Sequence, residues 1–165
     1  MNQAPDRKPN VVFFARGYQA GFYPELRDDR YEAIFATLTR EEAARVRAKG
    51  CTVSACFEED FDAIEPAQVP PHYLLTSFMS ERFLGRYSQA ERLEILGKEI
   101  AWWRGLLDRW SPVAVVNELI AIEISEVLLI EARDRGIVYL APMYCPIEGM
   151  FYWLPDPLTL SGQAL

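Results

Sequence analysis

Residues 10–17 read Asn10-Val11-Val12-Phe13-Phe14-Ala15-Arg16-Gly17. From Val11 to Ala15 every position is apolar, β-branched and aromatic types predominate, and the run stops at an Arg-Gly pair. A short apolar run without polar alternation marks a strand covered on both faces, as a central strand of a parallel sheet is.

A second short run, Glu32 to Leu38, predicts a second strand. It leads into Thr39-Arg40-Glu41-Glu42, where a threonine followed three residues later by glutamate is a capping box. The helix that starts there carries Ala43, Ala44 and Val46 and stops at Gly50, a residue suited to the left-handed position after a helix. Cys51 to Phe57 is the third expected strand. Residues 58–76 are acidic and proline-bearing, which predicts an irregular loop, and long loops in compact domains are often functional. Ser88 and Glu91 form a second capping box. Beyond it Leu93, Leu96, Ile100, Trp103, Leu107 and Trp110 recur at spacings of three and four, an amphipathic helix ended by Pro112. Val113 to Val116 is the fourth strand, Leu119 to Arg135 a helix apolar around most of its circumference and closed by Gly136, and Ile137 to Ala141 the fifth strand.

Strands alternating with helices predict an α/β fold with right-handed crossovers: a Rossmann-like three-layer domain on a mostly parallel five-stranded sheet, order 3-2-1-4-5. The expectation is one domain over residues 1–165, with residues 1–9 a flexible tail and residues 142–165 an irregular carboxyl-terminal segment. At this length about two-thirds of the unfolded chain's surface can be buried.

Composition narrows the class. Half the residues are apolar and a quarter charged, as in ordinary globular proteins. A net charge of -7 with no basic run offers no footprint for nucleic acid. Three cysteines, Cys51, Cys56 and Cys145, make no metal-ligand pattern and suit a reducing compartment. Cys51 and Cys56, five apart on one expected strand, would face opposite ways about 16 Å apart, too far for a bridge, so free thiols are expected. The amino terminus lacks the apolar core of a signal peptide, and no apolar stretch approaches the roughly 18 residues of a membrane span. The expected location is therefore cytoplasmic, with at most peripheral association at the inner face of a membrane.

In sheets of this order ligands bind beyond the carboxyl ends of the strands, where the strand order reverses, here between the first and fourth strands. The turn Arg16-Gly17-Tyr18-Gln19-Ala20-Gly21 lacks the full G-x-G-x-x-G pattern, so a nicotinamide cofactor is not expected. Its glycines permit close backbone approach, and Arg16 offers bidentate geometry to an anionic group; the alternative is a turn and nothing more. Asn117 and Glu118, after the fourth strand, are ligand contacts with Glu118 as general base, or else cap the following helix. Glu58, Glu59, Asp60 and Asp62 read as a solvated acidic loop rather than a cation site. His72 is the only histidine, which disfavours zinc chemistry and a histidine-dependent triad. Trp102, Trp103 and Trp110 suggest a stacking surface for a sugar, but Trp103 and Trp110 fall on the buried stripe, which favours core packing, and Trp102 lies off it. Tyr144, Phe151, Tyr152 and Trp153 follow no period and would cover a sheet edge or meet a partner.

Residues 80–142, from Ser80-Glu81-Arg82-Phe83 to Tyr139-Leu140-Ala141-Pro142, resemble the amino-terminal half of bacterial capsule and lipopolysaccharide glycosyltransferase-like proteins. Residues 147–157, IEGMFYWLPDP, are similar to the aromatic segment after the fifth strand in that group, and residues 10–17 resemble its first strand and turn. The resemblance implies a two-domain GT-B enzyme that moves a sugar from a nucleotide-activated donor to a surface polysaccharide or its lipid-linked precursor. This chain would be the acceptor-side half, without metal or cofactor of its own. The nucleotide-sugar donor would be bound mainly by a carboxyl-terminal domain or partner chain, without which the half would be inactive. Arg16, Gly17, Tyr18, Asn117 and Tyr144 would contact the glycan acceptor, and Glu118 would be the base. A half-domain of a nucleotide-sugar epimerase, or a non-catalytic binding or scaffolding module, are the alternative readings.

Overall fold

Strand β1 (Asn10–Phe14) lies between β2 (Glu32–Thr37) and β4 (Ala114–Val116), parallel to both. Its position follows from its residues: Val12, Phe13, Phe14 and Ala15 are each at most 2% exposed, as suits an apolar run covered on both faces of the sheet. The computed structural model describes residues 8–73, 84–118, 122–144, 146–147 and 150–155, with the side chain of Tyr144 outside the description. With β3 (Val53–Cys56), β5 (Val138–Tyr144) and β6 (Phe151–Pro155), the sheet has six strands in the order β3-β2-β1-β4-β5-β6. The first five in that order run parallel, as expected; β6 is antiparallel to β5.

Residues 142–144 and 151–155 are strand where an irregular segment was expected, while residues 145, 148–149 and 156–165 lie outside the described residues. β5 continues through Pro142 because the ladder to β4 ends at Leu140, so a residue without an N–H interrupts nothing on that side. Beyond Leu140 the chain pairs with β6 alone. Phe151, Tyr152 and Trp153 of β6 are 42%, 49% and 39% exposed, so no buried alternation marked the strand.

Alternation along the strands feeds two separate cores. Val12, Phe14, Ile34, Ala36, Val115 and Tyr139 face one layer, and Phe13, Ala15, Phe35 and Val116 the other. The first layer is made by α4 (Gln89–Trp110) and α5 (Glu123–Asp134), the second by α1 (Gln19–Phe22) and α2 (Arg40–Ala48). Both expected capping boxes form: the Thr39 hydroxyl accepts from Glu42 N–H, and the Ser88 hydroxyl from Glu91 N–H. On α4, Leu96, Ile100, Trp103 and Leu107 make the buried stripe. Trp102, off that stripe, is buried too. Its ring meets Phe57 of α3 (Phe57–Asp60), and its Nε1–H donates to Asp60 Oδ2 at 2.8 Å.

The acidic segment after β3 is therefore partly helical and engaged internally. Besides Asp60, Glu58 Oε2 accepts from Arg40 N–H at 2.8 Å, and Glu59 pairs with Arg47 at 3.3 Å. Its last stretch crosses α4 at Gly97, where Ala67 N–H donates to Gly97 O at 2.9 Å. A methyl group at Gly97 would stand 2.7 Å from Ala67 O and 3.0 Å from Pro66 Cβ. Alanine ordinarily favours a helix over glycine by up to about 1 kcal/mol. Here the clash is with backbone, so Gly97→Ala is expected to destabilise by about 1–3 kcal/mol in urea unfolding. A variant more stable than the parent would show that the segment does not hold its place on α4.

Cys51 and Cys56 are buried and free, although Cys51 precedes β3 rather than belonging to it. Cys145 lies outside the described residues, as do residues 119–121 of the expected helix, 74–76 of the expected loop and 1–7 of the expected tail. Among the described residues no helix is long and apolar enough to cross a membrane.

Candidate functional site

Because β1 and β4 pair in register, Phe13 opposite Val116, the residues leaving their carboxyl ends emerge side by side where the strand order reverses. Arg16 and Glu118 are those residues. Arg16 Nη2 and Glu118 Oε1 form an ion pair whose two side chains are each 19% exposed. Gln19, at the start of α1 and buried, donates through Nε2 to Glu118 Oε2 at 2.7 Å. Both carboxylate oxygens of Glu118 are thus engaged within the chain. Burial holds the Arg16 guanidinium below its ordinary pKa, opposed by the charge of Glu42.

The turn is fixed from α2. Gly17 adopts φ 56°, a left-handed conformation that side-chain-bearing residues rarely take, and its N–H donates to Glu42 Oε1 at 2.6 Å. The other oxygen of Glu42 accepts from Leu38 and Thr39 N–H at 3.0 and 2.9 Å. One capping-box glutamate therefore starts a helix and clamps the turn that carries Arg16.

Asn117 is completely buried beneath the pair. Its N–H donates to Leu140 O at 3.0 Å and its Nδ2 to Tyr139 Oη at 2.9 Å, and the Tyr139 hydroxyl donates to Glu118 O at 3.2 Å. Burial pushes the Tyr139 phenol well above its ordinary pKa. Asn117 supports Glu118 and does not cap the next helix: α5 begins at Glu123, with Ile122 as its N-cap. Tyr18, 60% exposed, opens onto a different hollow of about 390 Å³, bounded by Phe22, Pro142, Met143, Met150 and Phe151. The backbone of Tyr144 ends β5, opposite Phe151.

On the α4–α5 side of the ion pair is a cavity of about 320 Å³. Arg16, Leu38 and Phe57, from the carboxyl ends of the first three strands, form one wall; Ile95 and Glu99 of α4 and Ile122, Glu123 and Ile124 at the start of α5 form others. Its volume is in the range of small-molecule sites, roughly 300–1,000 Å³. Glu99 and Glu123 are 5% and 3% exposed, and Glu99 Oε2 and Glu123 Oε1 have no hydrogen-bond partner among the described residues. Burial, reinforced by the charge of Glu123, holds the Glu99 carboxyl well above the usual carboxylate range, and burial also raises that of Glu123. Neither was singled out from sequence. The signal was present in Glu99, a carboxylate three residues after Leu96 and four before Trp103, inside the apolar stripe.

Among the described residues no group of three or more His, Cys, Asp or Glu side chains gathers as a metal site, and His72 is exposed with its ring beside Tyr73. The architecture is that of an α/β domain, roughly Rossmann-like, with a ligand-sized, carboxyl-bearing cavity at the carboxyl edge of its sheet. The chain matches no protein-family model, no curated protein and no solved structure.

Proposed function

We propose that this chain is the acceptor-side half of a glycosyltransferase that moves a sugar from a nucleotide-activated donor to a bacterial surface glycan or its lipid-linked precursor. The observation that carries the reading is the cavity beside the Arg16–Glu118 pair, at the edge of the sheet where this architecture binds ligands. Apolar walls with a few buried carboxyl groups suit a sugar ring, whose faces are apolar and whose rim is hydroxylated. The resemblance of residues 80–142 and 147–157 to capsule and lipopolysaccharide glycosyltransferase-like proteins supports the same assignment. A donor-binding domain or partner chain would complete the enzyme. Arg16 holds the wall nearest the strand ends and orients Glu118.

The test is transfer of labelled sugar from UDP-, GDP- and CMP-sugars to the glycolipid fraction of bacterial membranes, catalysed by the product of the full reading frame. Arg16→Ala should retain the fold, because Glu118 keeps its bond to Gln19, and should reduce transfer about ten- to a hundredfold, the loss of one charge-assisted contact. No transfer by the parent protein, or equal transfer by parent and variant at matched stability, overturns the assignment.

A further inference from the structure

With both oxygens of Glu118 held by Arg16 and Gln19, the carboxyl oxygens of this cavity left without a hydrogen-bond partner among the described residues are Glu99 Oε2 and Glu123 Oε1. A third atom lacking a partner among the described residues, Arg16 Nε, belongs to the same cavity lining. A ligand that satisfies all three must donate to two carboxyl oxygens and accept from one guanidinium N–H. Hydroxyl groups do both. An ammonium ion would satisfy the carboxyl groups but meet Arg16 and Arg86 with like charge, and an anion without hydroxyl groups would leave the two carboxyl oxygens without a donor. Arg86 and Tyr87 also line the cavity, with Arg86 Nη2 donating to Tyr87 Oη at 3.0 Å, and Phe57, Phe61, Ile95 and Ile122 supply an apolar surface that fits the face of a ring. Lys98 steadies one wall, its Nζ donating to Phe61 O at 3.1 Å and lying 4.1 Å from the Phe61 ring centre.

We infer that Glu99 and Glu123, rather than Glu118, are the groups that grip the hydroxyls of a polyhydroxylated ring seated in this cavity. The inference rests on the acceptor-half reading and assigns its ligand contacts. Glu99 Oε2 and Glu123 Oε1 each accept from a ligand hydroxyl, and a ligand oxygen accepts from Arg16 Nε–H.

Saturation-transfer NMR of the intact chain with methyl glucoside, methyl galactoside and methyl mannoside as probes tests this. At least one probe is expected to bind saturably. Glu123→Gln should weaken it about ten- to a hundredfold, and Glu99→Gln should weaken it in the same direction. Ile95→Phe, which fills the cavity from a half-buried position and leaves both carboxyl groups in place, should abolish binding even if a carboxyl variant fails to fold. Binding that survives Glu123→Gln and Ile95→Phe but is lost in Arg16→Ala overturns the inference and leaves the acceptor reading standing. Saturable binding with the expected losses, alongside failure of sugar transfer, overturns only the transferase reading. Absence of binding by all three probes overturns both.

Discussion

Replacing Glu131 with alanine is expected to cost about 3 kcal/mol of folding stability, the scale of a broken buried ionic network. Glu131 is 1% exposed and joins three elements: Tyr73 Oη donates to its Oε1 at 2.6 Å, Arg104 Nε to the same oxygen at 2.9 Å, and Arg135 Nη1 to Oε2. Arg104 and Arg135 are partly exposed and regain water when the carboxylate is lost, which limits their share of the cost. Tyr73 has no such recourse. It is fully buried, and burial followed by the bond to Glu131 pushes its phenol far above its ordinary pKa, so the alanine variant strands a hydroxyl in an apolar setting. Glu131→Gln keeps the volume and one acceptor and should cost roughly half as much. Urea unfolding of both variants measures the difference. Equal and small losses would mean that the arginines carry no weight and that Tyr73 finds another acceptor. The network matters to the site because, with the Trp103 Nε1 bond to Ile124 O at 2.8 Å, it fixes α5 against α4, the helices that carry Glu123 and Glu99.

The sheet order was legible because buried parallel strands are written in uninterrupted apolar runs: Val11 to Ala15 could be assigned to the centre without any partner known. Helix starts were legible where a side chain closes the cap locally, as Thr39–Glu42 and Ser88–Glu91 do. The start of α5 was not. Its N-cap, Ile122, makes no side-chain bond, and Asn117, a strong capping type five residues earlier, instead spends its amide on Tyr139. The juxtaposition of Arg16 with Glu118 followed from topology alone. The engagement of Glu118 by Gln19 did not, since it depends on how the short α1 turns over the strand ends. Glu99 was hidden by the strength of the pattern around it: a periodicity search credits the apolar positions and passes over the acid among them.

That acid gives the protein a distinctive pH response. Burial, then the neighbouring charge of Glu123, raises the folded-state pKa of Glu99 above its unfolded value. Below the unfolded pKa both states are protonated and stability is complete. As pH rises through about 4.5 the unfolded chain ionises while the folded chain holds its proton, and stability falls by about 1.4 kcal/mol per pH unit until the folded pKa is passed. Glu123 shifts in the same direction, moderated by Arg92 and augmented by Glu126, and Arg16, Arg86 and Tyr87 are the other ionisable groups lining the cavity. Exposed carboxylates act oppositely. Glu25, Asp28 and Glu91 are held below their ordinary values by Lys49, Arg30 and Ser88, so their contribution is present above the unfolded pKa and lost on acidification. Subtracting the parent's stability from that of Glu99→Gln cancels them, because they lie at distant surface positions common to both proteins. The difference should be close to zero near pH 4 and grow in favour of the glutamine variant towards neutral pH, where the parent carries the cost of the buried acid and the amide does not. Urea titrations of the two proteins at matched pH values from 4 to 8 read this directly. A difference that does not change with pH would show that Glu99 ionises in the folded protein as it does in water, and that the cavity floor is wetter than its apolar walls imply.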